Sequence, residues 1–276
     1  MGTQDLRIAL KYIAHRLICM RTSLAAALVI VVLAVAALAY LLINQGIREA
    51  PEIALSNARK LLLSENFTGT YYMTVTTQVN SRASTLNGIS TTSRSPSINA
   101  LVSNSTGLLM EFNGRAVRVN STVVVWMHGD EVCQVLISIS NASPYNRTAT
   151  FCIPSNYSKH LLPFHVDEEL LGNATYIGES SWNGETTYCF KSEITVSQPS
   201  ITTGKTTTIG SPVTTVINAT RLCILSNGVT ASATLYETSR LRHQSFATVI
   251  NETLISYSFT FNQQLFTQIT SKAGLG

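Results

Sequence analysis

Twenty consecutive residues, Leu24 to Ile43 (LAAALVIVVLAVAALAYLLI), carry no charge and no strongly polar side chain. At about 1.5 Å of rise per residue, a helix of that length spans roughly 30 Å, the thickness of a bilayer's hydrocarbon core. The run is expected to be a transmembrane signal anchor, and it divides the chain into a cytoplasmic head, 1–23, and a long body. The head holds Arg7, Lys11, Arg16 and Arg21 against Asp5, which accounts for three of the chain's four net positive charges. The positive-inside rule therefore sets residues 1–23 in the cytoplasm and the body outside. Since the excess charge belongs to topology and the body is close to neutral, the balance points away from nucleic acid as a partner.

Asparagine and cysteine agree with an external body. Asn-X-Ser/Thr occurs at Asn66, Asn104, Asn120, Asn141, Asn146, Asn156, Asn173, Asn218 and Asn251, all after the apolar run. Pro144 follows the Asn141 sequon, so the other eight are the expected glycosylation sites. Cys19 stands alone before the run, whereas Cys133, Cys152, Cys189 and Cys223 form an even set beyond it, as disulfides in an oxidising compartment would. Four cysteines allow three pairings; Cys133 with Cys152 and Cys189 with Cys223 are favoured, because each pair lies on strand-like segments close in sequence. A rival reading of the run is a cleaved signal peptide, for Ala37-Leu38-Ala39 has the small-x-small pattern of a signal peptidase site before Tyr40. In the head, Leu6, Leu10, Ile13, Leu17 and Ile18 recur at helical spacing, which suits an amphipathic helix at the inner membrane surface or an extension of the anchor.

Residues 44–65 form the juxtamembrane segment, and Ile53, Ala54, Ala58, Leu61 and Leu62 predict one helical face there, with Pro51 in its first turn. The domain from 66 to 276 is expected to be mainly β, a large antiparallel sheet folded as a half-barrel or sandwich. From Phe67 to Val79 apolar and threonine residues alternate with period two, which buries one face and wets the other. Similar segments recur to Phe261. Gly129-Asp130, Asn183-Gly184 and Asn227-Gly228 supply the positive-φ residues that hairpins need. Two stretches, Arg82 to Ser97 and Gln198 to Thr214, are polar enough to be expected as an edge or loop and a long hairpin loop. Between Ser155 and Asn173, Asp167, Glu168 and Glu169 are placed to open a short helix ended by Gly172.

No reaction is legible. His160, His165, Asp167, Glu168 and Glu169 are metal-compatible side chains without a HExxH arrangement, and a solvated helix start accounts for the acids. Gly-x-Ser-x-Gly is absent, as are a P-loop and a dinucleotide fingerprint. Trp126, Trp182, Tyr71, Tyr72 and Tyr188 lie near turns and suit a β-core better than a sugar platform. The chain is therefore expected to be non-catalytic and to need no cofactor, with a hydrolase as a remote alternative.

The segments FTGTYYMTVTTQV, NGETTYCFKSEITV, ATRLCILSNGVTASATLYE and FATVINETLISYSFTFNQQLF, preceded by an amphipathic helix, resemble in order the LolA-like lipoprotein-carrier superfamily. The resemblance implies an unclosed half-barrel with an apolar inner face, including Tyr71, Met73 and Val75, able to hold a lipid or another hydrophobic ligand. Carriers of that kind lack this sequon density and this anchor, and the combination is similar to an archaeal surface glycoprotein. The expectation is an interaction or structural subunit of an envelope or membrane complex with a protein partner at the cell surface, and the alternative is a carrier of a hydrophobic ligand. An intact mass of the chain extracted from its source that includes residues 1–39 is the result expected of an uncleaved anchor; a chain beginning at Tyr40 would remove it.

Overall fold

A computed structural model describes residues 50–142, 147–155, 165–203, 207–241 and 244–272; within it, side chains are described outside 198–212 and 241–244. The basic head, the apolar run, the Ala39 site, Asn146, Asn156 and His160 lie outside these residues. Helix α1 (residues 50–64) opens the described chain and leads into β1 (Phe67–Val79). A meander follows through β2 (Arg82–Ser95), β3 (Ala100–Met110), β4 (Ala116–His128), β5 (Glu131–Ser140) and β6 (Arg147–Pro154). Helix α2 (His165–Gly172) precedes a second meander, β7 (Thr175–Trp182), β8 (Glu185–Thr203), β9 (Thr207–Leu225), β10 (Thr230–Leu241) and β11 (Gln244–Ser258). Helix α3 (Gln263–Lys272) comes last. Among the described residues no helix is long and apolar enough to cross a membrane.

All these strands lie in one antiparallel, eleven-stranded sheet ordered β6-β5-β4-β3-β2-β1-β11-β10-β9-β8-β7. The chain starts in the middle, winds to one edge, then starts again at the far edge and winds back. The sheet is not closed, because β6 and β7 end it on either side. Pairing of β1 with β11 joins the two meanders, with Met73 opposite Glu252 and, across a bulge after Thr70, Tyr71 opposite Leu254.

The two faces are covered differently. Tyr71, Glu252, Ala233, Leu222 and Phe190 share one face through their cross-strand pairing. On that face α1 sets Ala54, Ala58 and Leu62 against Phe190, Leu222, Ile224 and Ala233, while its Leu61 packs with Phe67, Tyr71 and Leu254. Each fully buried leucine contributes about 1.5–3 kcal/mol, so this stripe outweighs the weak intrinsic stability of a four-turn helix. Helix α3 covers the other face, where Ile269 joins Ala100, Val102, Val124, Trp126 and Val135, and Phe266 meets the Trp126 ring edge-on at 6.1 Å. Asn262 caps α3: its Oδ1 accepts from the Leu265 N–H at 3.1 Å, and its own N–H donates to Ser93 Oγ at 2.8 Å.

Several expectations are corrected. Arg82–Ser95 is no loop but an interior strand between β1 and β3. Its apolar alternation is missing because hydroxyls satisfy one another across the strands, as in Thr70 with Thr91, Thr76 with Thr85, and Ser90 with Ser103. The expected loop from Gln198 to Thr214 is mostly strand, with β8 reaching Thr203 and β9 starting at Thr207. Ile53, assigned to the apolar face of α1, is 54% exposed. Helix α3 was not expected, since β11 was read on to Phe261.

The disulfides join Cys133 to Cys152 and Cys189 to Cys223, each between residues directly paired on neighbouring strands. In the chain-entropy view, loops of these lengths are worth on the order of 3–4 kcal/mol each. A closer constraint sits at Gly228, with φ +90°, where an added Cβ would lie 2.5 Å from the Ala58 nitrogen of α1. Asn57 Nδ2 reinforces the approach by donating to the Ser226 carbonyl at 2.7 Å. Gly228→Ala is expected to lower stability by well over about 1 kcal/mol in denaturant unfolding. Gly114→Ala, at φ +81° with open space around it, carries only the backbone strain of about 1–2 kcal/mol and serves as the control.

Candidate functional site

Between α1, α2 and the covered face of the sheet lies a cavity of about 170 Å³. Leu62, Phe67, Leu170, Leu222 and Leu235 supply its apolar wall. Into the same space come Tyr71 from β1, Arg94 from β2, Glu252 from β11 and Asp167 from α2. Pairing explains the three strand positions: Phe67 opposes Arg94 and Met73 opposes Glu252, so both charges share Tyr71's face. Asp167 depends on the seating of α2. Three carbonyls in the last turn of that helix are taken, Glu169 by the Asn173 N–H at 3.1 Å, Leu170 by Ser192 Oγ at 2.7 Å and Leu171 by Arg59 Nη2 at 2.7 Å. Ordinarily such carbonyls are left to water; here they tie α2 to β8 and to α1 and fix its first turn at the cavity.

The guanidinium of Arg94 lies over the Phe67 ring, 4.8 Å from its centroid, and its Nε is buried without a hydrogen-bond partner. Among the described residues, no ion pair within 4 Å joins it to Asp167 or Glu252. Burial pushes the Asp167 carboxyl upward, opposed in part by Arg94; burial and then the neighbouring Asp167 push Glu252 upward as well. Burial lowers Arg94, against the pull of Asp167 and Tyr71, and raises the Tyr71 phenol. Asp167 is exposed to solvent, so water damps its shift strongly, whereas Glu252 is half-buried and keeps more of its own. The site thus presents one cation and two mutually repelling acids inside an apolar shell, and binding a polar group there would relieve their incomplete pairing.

Of the residues assigned to a hydrophobic-ligand face, Tyr71 lines the cavity, Met73 is buried beside Tyr72 on β1, and Val75 is half-buried further along. Asp167, Glu168 and Glu169 open α2 as a solvated helix start does; Asp167 is exposed there and also lines the cavity. Glu168 is exposed, and Glu169 accepts from His165 Nε2 at 3.2 Å. Trp126 and Trp182 pack as core residues; the Trp182 indole N–H donates to the Leu254 carbonyl at 2.8 Å. Glu131 lies near Cys133 and Cys152, but their sulfurs are bonded to each other and offer no thiolate. Asn66, Asn104, Asn120, Asn173 and Asn251 are exposed, and Asn218 is half-buried with its Nδ2 on Glu193 at 3.0 Å. Sequence reading missed Arg94 and Glu252. For Glu252 a signal exists, an acid on the same parity as Ile250 and Leu254; Arg94 has none, because its meeting with Phe67 is made by the hairpin register.

No protein-family model and no curated protein matches this chain. Among solved structures, a β-barrel-like protein of the domain of unknown function DUF1849 from Brucella abortus is 10% identical, with a TM-score of 0.29 over 72% of this chain and 99% of that one. A DUF1329 family protein from Desulfovibrio piger is 8% identical, with a TM-score of 0.23 over 78% of this chain and 92% of that one. At such scores neither lends this chain a function.

Both acids hold their protons to higher pH in the folded chain than in the unfolded one, so folding binds protons and stability falls as pH rises through the folded-state values. Glu252→Gln, at the half-buried one of the two, is expected to be more stable than the parent at neutral pH. The gap should close below about pH 4, where the carboxyl is protonated in both states, and denaturation midpoints across pH 3–8 measure it.

Proposed function

We propose that the body is a non-catalytic, extracytoplasmic binding module, tethered by the 24–43 segment, that takes an amphiphilic ligand between the two helices and the sheet. The observation that carries this reading is the set Arg94, Asp167 and Glu252 in a cavity whose remaining wall is mostly apolar, with Thr92, Thr230 and Tyr71 as its other polar side chains. An apolar chain or ring would lie against Leu62, Phe67 and Leu222, while a polar end would complete the bonding of Arg94, whose Nε has no partner. A volume of about 170 Å³ slightly exceeds that of an engineered cavity, about 150 Å³, that accepts benzene. The cavity therefore suits one end of a lipid, or a small amphiphile, rather than a whole acyl lipid.

A second reading, a surface interaction or structural subunit in a membrane complex, draws on the other face. There Tyr72 and Ile89, directly paired on β1 and β2, are 51% and 48% exposed, and Leu108 and Met110 are exposed on β3. Such a patch suits a protein partner.

Native mass spectrometry of the full chain, extracted in detergent from its own source, tests the first reading. A retained small amphiphile is expected, and Arg94→Met should weaken its retention about 10- to 100-fold, the loss of one charge-assisted hydrogen bond. Retention of no small molecule by the parent, or equal retention by the variant, would overturn it.

A further inference from the structure

A second concavity, of about 320 Å³, lies on the face of β9–β11 opposite the ligand cavity. Its volume is at the lower end of small-molecule sites, about 300–1,000 Å³. Its walls include Trp182, Thr187, Arg221, Thr234, Asn251 and Thr253. The tip of the β7–β8 hairpin forms one side, held down by three contacts. Trp182 donates to the Leu254 carbonyl at 2.8 Å and packs on the Tyr257 ring at 6.2 Å, and Arg221 Nη2 donates to Ser180 Oγ at 2.9 Å. The niche is therefore preformed and does not depend on a ligand to assemble it. Thr187, 1% exposed, backs this wall with a buried hydroxyl that has no hydrogen-bond partner.

Asn251 and Thr253 are also the first and third residues of a sequon, Asn251-Glu252-Thr253. Thr234 Oγ1 donates to Asn251 Oδ1 at 3.0 Å, which orients the amide and leaves Nδ2 as the atom available for linkage. At Asn218 the corresponding Nδ2 is already engaged by Glu193. We propose that this niche seats the first sugar of a glycan carried on Asn251. Linkage forms a bond from Nδ2 to the sugar's C1 as the C1–O bond to a lipid-linked phosphate donor breaks; the phosphate departs and one amide proton is lost. The seated sugar then sets a ring face toward the Trp182 indole and polar groups toward Thr234, Thr253 and Arg221, the mixture of one aromatic wall and several polar groups that a pyranose satisfies. Strand-borne Asn104, Asn120 and Asn218 share Asn251's sheet face, so any glycans they carry leave the ligand cavity unobstructed. This inference is independent of what the ligand cavity binds.

Glycopeptide mass spectrometry of the full chain from its own source, together with Asn251→Gln, Thr253→Val and, as control, Asn120→Gln made in a glycosylating host, tests it. Expected are occupancy of Asn251, a Tm lowered by about 3 °C or more in both Asn251-site variants but not in the control, and greater acrylamide quenching of tryptophan when that glycan is missing. Trp126 is buried, so the quenchable signal belongs to Trp182. Trimming the glycan to its first sugar should preserve both properties. An unmodified Asn251 would overturn the proposal, as would variants indistinguishable from the control in Tm and quenching. Saturable binding of a free saccharide to glycosylated protein would do so too, since it would show the niche vacant for an outside ligand.

Discussion

The antiparallel pairing of β1 with β11 is the constraint on which the rest of this structure depends. Each meander alone is a sheet with a free inner edge; the β1–β11 ladder removes both free edges and makes one surface wide enough for two helices to lie on. Its register also decides the chemistry. With Met73 opposite Glu252, an acid from the end of the chain is carried onto the face where Tyr71 and Arg94 already lie. A slip of one residue would turn Glu252 to the opposite face and bring Asn251 inward.

From that register follows a division of labour between faces. Helices α1 and α2 cover part of one face, and they are tied to it by polar as well as apolar contacts: Arg59 and Ser192 take the carbonyls that end α2. The opposite face carries α3, both disulfides and the strand-borne sequons. Both disulfides and the strand-borne sequons thus sit away from the cavity, and the three charged groups Arg94, Asp167 and Glu252 lie at it. Arg94, with an unpartnered Nε, and Glu252, whose carboxyl is raised by burial, are costs to stability that a folding requirement alone does not explain.

What the sequence made legible depended on whether the determining contact was local. β1 was plain because Phe67, Gly69, Tyr71 and Met73 alternate with threonines, and the hairpins at Asn183-Gly184 and Asn227-Gly228 because positive φ is a single-residue property. β2 was read as an edge or loop because its stabilising bonds are hydroxyl to hydroxyl across strands, and hydropathy does not register them. α3 escaped for a related reason: Asn262 followed by Leu265, Phe266 and Ile269 is a fair helix signal, but it is continuous with β11, and only the apolar patch around Trp126, which α3 buries, decides in favour of a helix.

By itself the sequence determined the class of fold, the sequons and the presence of one apolar run, and it favoured one pairing of the cysteines, because periodicity, turn chemistry and composition are local quantities. Tertiary structure alone decided that Arg94, Asp167 and Glu252 share a cavity, and that Trp182 and Thr187 come beside Asn251. Those groups are separated by up to 158 residues in the chain. They meet only through strand register and helix docking, which no short window of sequence records.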